Sequence, residues 1–295
     1  MKTPSRPKAM LCSLVFGLLC HSVRAESMSW WLTDFPPYSI PENGEPGSGA
    51  VDLVLHGVMA AWPEKITHQF RIANTSRIWT SIDAGTEACY TSALHTPQRA
   101  RQAYLSDVFI LPPIQLIVRK DRLEQVPMNA NGEVQFAALI SRRDINGVLV
   151  SGRAYGTELD AALAGTPHGE NLTFSGSKVL GANLFKMIAA GRADYTLDYD
   201  FILAYQMKDA AALDVLTTLP IDVANTPLVG SFACPRTLWG QKMIERIDHI
   251  VSQLAQNARY RDQFERWLLP GTKARYAAKF DQFYKSRSKN QGSNH

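Results

Sequence analysis

Residues 88–107 read ACYTSALHTPQRARQAYLSD. Ala88 to Leu94 is a strand candidate, rich in residues that suit a pleated, half-buried surface. Thr96 follows at the place where a hydroxyl can cap the next helix, and Arg99 falls inside that helix, just past the strand. The same grammar extends outward in both directions. Upstream lie a strand at Ser27–Thr33, a Pro- and Gly-rich loop from Pro36 to Gly49, and a helix at Val51–Trp62. A strand at Thr67–Ile72 and a short helix at Ser76–Ile82 follow. Val51, Leu55, Val58, Met59 and Trp62 recur at helical spacing.

Downstream, the apolar run Pro113–Val118 is followed by a second round. Strands are expected at Val148–Ser151, Leu172–Ser175, Asp194–Tyr199 and Leu228–Cys234. Helices are expected from Thr157 through Leu163, at Ser177–Ala190 with Gly191 as its stop, at Phe201–Met207, at Thr237–Gln256 and at Tyr260–Leu268. Strands alternating with helices in this way predict an α/β protein with mainly parallel sheets.

Composition bounds the function. Of 295 residues, 45% are hydrophobic and 20% charged, which excludes a disordered or fibrous chain. Residues 1–25 combine Lys2, Arg6 and Lys8, a short apolar run from Met10 to Leu19, and Val23-Arg24-Ala25, the three-part pattern of a secretory signal. The reading is export to the periplasm, with cleavage after Ala25. The apolar run is too short for a membrane anchor. The net charge of +4 lies in the ends. Residues 26–268 carry 21 basic and 26 acidic groups. This acidic body argues against a nucleic-acid partner. The tail, 269–295, is basic, and reads as a solvated, frayed terminus in which Ala274–Phe283 forms at most a short amphipathic helix.

Local catalytic signatures are missing. The histidines His56, His68, His95, His168, His249 and His295 have no His or Cys at metal-ligand spacing, so no metal site is expected. There is no nucleophile elbow, no P-loop and no complete dinucleotide fingerprint, so no cofactor is expected either. Export leaves Cys89 and Cys234, which spacing alone reads equally as a disulfide or as two buried thiols.

Thr96-Pro97-Gln98-Arg99-Ala100 with Leu105-Ser106-Asp107 resembles the T-P-E-R-A…F-S-D element of extracellular solute-binding proteins of family 3, the polar amino-acid-binding type. The sequence looks like a divergent member. Four further segments match in order: Thr33-Asp34-Phe35-Pro36-Pro37-Tyr38, Gly49-Ala50-Val51-Asp52-Leu53, Ala190-Gly191-Arg192-Ala193-Asp194-Tyr195, and Pro227–Pro235 with the helix behind it. The resemblance spans about residues 27–268. It implies a two-lobed, periplasmic-binding-protein-like (type II) α/β fold with two crossing hinge strands. One lobe is then 27–117 plus 231–268 and the other 118–230. A small-molecule ligand would lie between them, and a membrane transporter or sensor would read the closed monomer.

The resemblance assigns residues. Arg99 would grip a ligand carboxylate, through two parallel charge-assisted bonds. Ser92 would touch the ligand. Phe35 and Tyr38 would form the cleft wall, with Trp30 in the core. Asp34 would meet a cationic group or cap the turn before Pro36. Tyr155, Gly156 and Thr157 would form a turn against the ligand, with Thr157 as a helix cap and Arg153 or Tyr155 entering the cleft. The family's ammonium-binding Asp is replaced by Tyr199, and Asp198 and Asp200 flank it on alternate sides of a strand. Cys89 and Cys234 would lie on neighbouring strands, which favours the disulfide. These departures predict a ligand other than a simple α-amino acid. The rival reading is a secreted, dehydratase-like enzyme on the same lobes, with Asp198, Asp34 or Glu158 as its general acid.

Overall fold

A computed structural model describes residues 27–166, 170–176, 182–208 and 210–289. The expected export signal and the first residues of the helix expected from Ser177 lie outside the described residues. The chain forms β1 (Ser27–Leu32), α1 (Ala50–Ala60), β2 (Thr67–Ile72), α2 (Thr75–Asp83), β3 (Cys89–Leu94), α3 (Pro97–Gln102), β4 (Ala103–Leu111) and β5 (Gln115–Arg119). It continues with α4 (Phe136–Ser141), β6 (Gly147–Val150), α5 (Thr157–Gly165), β7 (Leu172–Ser175), α6 (Ala182–Ala189), β8 (Tyr195–Asp198) and α7 (Asp200–Met207). It ends with β9 (Leu216–Leu219), β10 (Leu228–Pro235), α8 (Leu238–Leu254), α9 (Ala258–Glu265) and α10 (Pro270–Arg287).

Two five-stranded sheets result, ordered β2-β1-β3-β10-β4 and β7-β6-β8-β5-β9. In the first, β1 runs parallel to β2 and β3, while β10 is antiparallel to β3 and β4. In the second, β6 runs parallel to β7 and β8, while β5 is antiparallel to β8 and β9. The sheets are therefore mixed, where the sequence pattern predicted mainly parallel ones. The reason is the crossings. β5 enters the second sheet from the first, β10 returns from the second to the first, and each inserts against the local strand direction. β6 and β8 are buried at every residue, as strands covered on both faces should be.

Local chemistry sets the boundaries. Thr96 accepts from the Arg99 amide at 3.2 Å and Thr237 from the Gly240 amide at 3.0 Å, capping α3 and α8. The Asp52 carboxylate takes the Ile40 amide at 2.5 Å, the Gly49 amide at 3.2 Å and the Ser39 hydroxyl at 2.9 Å, which pins the Pro-rich loop to the start of α1. Gly191, at φ 72°, ends the helix before β8. Thr157 does not cap α5. It is the first helical residue and exposed, and the turn before it is held by Asp160 Oδ1, which accepts from the Tyr155 amide at 2.9 Å.

Residues 270–287 of the basic tail are not frayed. α10 buries Phe280, Tyr284 and Arg287. The Arg287 guanidinium donates to the Asp107 carbonyl (2.7 Å), the Ser252 hydroxyl (2.8 Å) and Asp248 Oδ1 (2.6 Å). Tyr276, Phe280 and Tyr284 stand four residues apart, one stripe of a helix whose remaining faces carry the lysines. A disulfide joins Cys89 to Cys234, with Cα atoms 4.4 Å apart on neighbouring strands β3 and β10.

Candidate functional site

The two sheets face each other across a cleft whose walls come from both lobes. From the first come Phe35, Tyr38, Thr75, Tyr90, Ser92 and the stretch Ala93–Leu94; from the second come Arg153, Ala154 and Tyr199, with Leu111 at the crossing. The space they enclose is about 40 Å3, well below the ~300–1,000 Å3 of sites for larger ligands.

The Phe35–Tyr38 turn is closed by paired backbone bonds between Phe35 and Ser39, both 2.9 Å. Tyr38 sets its ring edge-on to Phe109 and Phe264, 6.2 Å from each centroid. Phe35 reaches across to Tyr199, at 6.4 Å. Burial raises the Tyr38 and Tyr199 hydroxyl pKa values far above the usual phenol, so both stay neutral.

Arg99, only 7% exposed, lies flat on Trp79 at 3.8 Å. Its Nη1 donates to Gln102 at 2.8 Å and its Nη2 crosses the cleft to the Gly152 carbonyl at 2.6 Å. The Ser76 and Ser151 hydroxyls meet at 3.1 Å, and the Asn74 amide reaches the Gly176 carbonyl at 3.2 Å. The lobes thus touch along one rim. Gly152 sits at φ 72°, and a Cβ there would meet the Ser76 hydroxyl at 2.6 Å, so only glycine allows this approach.

Arg153, one residue on, turns inward. Its side chain is 8% exposed and donates to the fully buried Asp198 at 2.9 Å. Its guanidinium carbon stands 4.9 Å from the Phe35 ring centre, 5.2 Å from that of Tyr155 and 5.7 Å from that of Tyr199. Burial opposes its charge, but Asp198 outweighs burial and raises its pKa. The Tyr155 hydroxyl accepts from the Val150 amide at 2.7 Å, which fixes the ring beneath it.

The structure therefore lines the cleft with Phe35, Tyr38, Ser92 and Tyr199, with Arg99 on its rim, while Tyr155 and Asp198 are buried outside the lining, against Arg153. Gly156 is buried beside Leu228, where a Cβ would meet the leucine at 2.8 Å. Thr157 is exposed on α5. Asp34 is half-buried, outside the lining, with its carboxyl pKa raised by burial. Asp200 turns away from the cleft and accepts from the Thr272 hydroxyl at 2.5 Å. The sequence did not mark Thr75, Tyr90 or Trp79 for the site. Their partners come from distant elements, and only the polar-aromatic mix of β3 hinted at them.

No protein-family model matches the sequence, and no curated protein matches it. Solved structures do. A histidine kinase sensor domain with similarity to periplasmic binding proteins superposes with a TM-score of 0.64 at 18% identity, over 83% of this chain and 97% of its own. The arginine-, lysine-, histidine-binding protein of the thermophilic bacterium Geobacillus stearothermophilus gives 0.64 at 11% identity, over 82% and 95%. An ancestral amino-acid-binding protein, a precursor of cyclohexadienyl dehydratase, gives 0.60 at 17%, over 82% and 96%. The chain has the two-lobed α/β fold of periplasmic binding proteins.

Proposed function

We propose that the protein is an exported solute-binding protein that captures a small, carboxylate-bearing ligand between lobes 27–117 plus 231–268 and 118–230, for a membrane transporter or sensor. The observation that carries this reading is a cleft lined from both lobes, with Arg99 and Arg153 beside an aromatic wall. Two guanidiniums favour an anionic end group, and tyrosines suit an apolar or aromatic remainder. Closing the lobes on such a ligand is a hinge motion about the crossings near Leu111 and Leu228. The solved relatives point the same way, since they include amino-acid-binding proteins and a histidine kinase sensor domain.

The enzymatic alternative needs a free general acid in the cleft. Asp198 is ion-paired with Arg153, Asp34 lies outside the lining, and Glu158 is exposed on α5. The geometry supports binding over catalysis. A thermal-shift screen of the chain from Glu26 onward against organic acids, amino acids and short peptides tests the proposal. A ligand at 100 times its Kd adds about 2.7 kcal/mol of stability. A response to none of the acids, with a response to a neutral sugar or a metal instead, overturns it.

A further inference from the structure

The cleft contains a finished cation site, and the protein's own side chain is in it. Asp198 supplies a fully buried carboxylate, and Phe35, Tyr155 and Tyr199 supply ring faces within 5.7 Å of the guanidinium carbon of Arg153. Aromatic faces around a carboxylate are what binds a guanidinium or ammonium from solution. Here that place is filled from within the chain. The pairing with Asp198 is a single bond: Arg153 Nη2 donates to Oδ1, while Arg153 Nη1 and Asp198 Oδ2 are both buried without a hydrogen-bond partner. A buried, charged N–H edge with no acceptor is costly, and Arg153 lines the enclosed space. Arg99, which the motif nominates for the anion, already donates to Gln102 and to the Gly152 carbonyl.

We propose that Arg153 determines the ligand class of this cleft: its guanidinium fills the cation box, so ligands with a cationic head are refused, and its free Nη1 edge receives the ligand's carboxylate. This rests on the solute-binding reading above and narrows it to organic acids without a positive group near the acid. A second cation entering the box would meet a like charge in a poorly screened interior, whereas an anion there completes the donor set.

The test compares wild type, Arg153→Ala, and the neutral pair Arg153→Met with Asp198→Asn by thermal shift and calorimetric titration. The probes are L-arginine and millimolar guanidinium, with urea as the neutral control, and acetate, benzoate and succinate. Wild type should respond to an acid and to neither cation. Arg153→Ala leaves Asp198 bare among the rings, so it should gain stabilisation from guanidinium and L-arginine but not urea, and lose acid affinity roughly ten- to a hundredfold. The neutral pair has no uncompensated charge, so it covers the case in which Arg153→Ala fails to fold. It should lose the acid and gain no cation. L-arginine binding to wild type overturns the proposal, as does equal acid binding by wild type and either variant; the latter leaves the solute-binding reading intact. If wild type binds none of the acids yet Arg153→Ala gains L-arginine, the box stands and the carboxylate reading falls.

Discussion

Arg99 shows how one side chain can belong to both a lobe and the cleft. It is stacked on Trp79 in its own lobe and bonded to the Gly152 carbonyl of the other. Arg99→Ala should cost about 1–3 kcal/mol in urea denaturation, from a charged hydrogen bond and a cation–π contact; an unchanged midpoint would show that the contact is idle. His95 and Asp107 give a pH-dependent counterpart, bonded at 2.6 Å near the crossing strands. The bond to Asp107 raises the His95 pKa. Burial pushes Asp107 up, but His95, Ser231 and Arg287 outweigh it and bring its pKa down. A raised histidine stabilises fully below its unfolded pKa of ~6.5 and loses this as pH rises through the folded value; a lowered aspartate stabilises above ~3.9 and loses this as pH falls through its own. The pair should therefore contribute most between about pH 4 and 6.5, by under ~1 kcal/mol because His95 is well exposed. Melting curves of wild type and His95→Asn should diverge at pH 5.5 and converge at pH 9. At this scale the sequence was legible where a residue acts through its neighbours, as Thr96 caps α3. It named Arg153 and Asp198 separately but not their pairing, which spans 45 positions and carries no local pattern.

Elements were easier to read at their apolar stripes than at their ends or edges. α1 and α8 follow their helical spacing closely. β4 and β9 were missed: β4 mixes polar residues with apolar ones because it lies at a sheet edge, and β9 has only four residues. α10 was foreseen only as a short helix at Ala274–Phe283, because its charge outweighed its stripe. Phe280 is fully buried, so Phe280→Ala should cost about 3–5 kcal/mol by thermal or urea unfolding, where a frayed tail would show nothing. The Cys89–Cys234 bond spans 145 residues and ties the returning strand to the centre of the first sheet. In the chain-entropy model it contributes up to ~5 kcal/mol. Replacing both cysteines with alanine should lower stability by a few kcal/mol, and mass measurement of the oxidised chain should find no free thiol.

For the whole molecule, the alternation of strands and helices was sufficient to give the α/β class, and the ordered motifs gave the two lobes. Strand direction was not legible, because nothing in a strand's composition says from which sheet its chain arrives. The crossings at Pro112–Ile114 and between Leu219 and Leu228 are joined by a third tie at the rear. α10 is held to the first lobe by Arg287 on Asp107 and Asp248, and to the second by Thr272 on Asp200. Thr272→Val should widen the range of lobe separations, seen as a larger radius of gyration in small-angle scattering, while leaving the melting temperature nearly unchanged; an identical profile would mean that the tie carries no load. The position of that tie has a mechanical consequence. Asp200 directly follows Tyr199 of the cleft wall, so α10 is anchored one residue from that wall. A hollow of about 340 Å3, bounded by Asp200, Thr272, Arg275 and Tyr276, lies along its near end. If the lobes rotate on a ligand as proposed above, α10 flexes with them and that hollow changes shape, so the back of the molecule would report on the cleft.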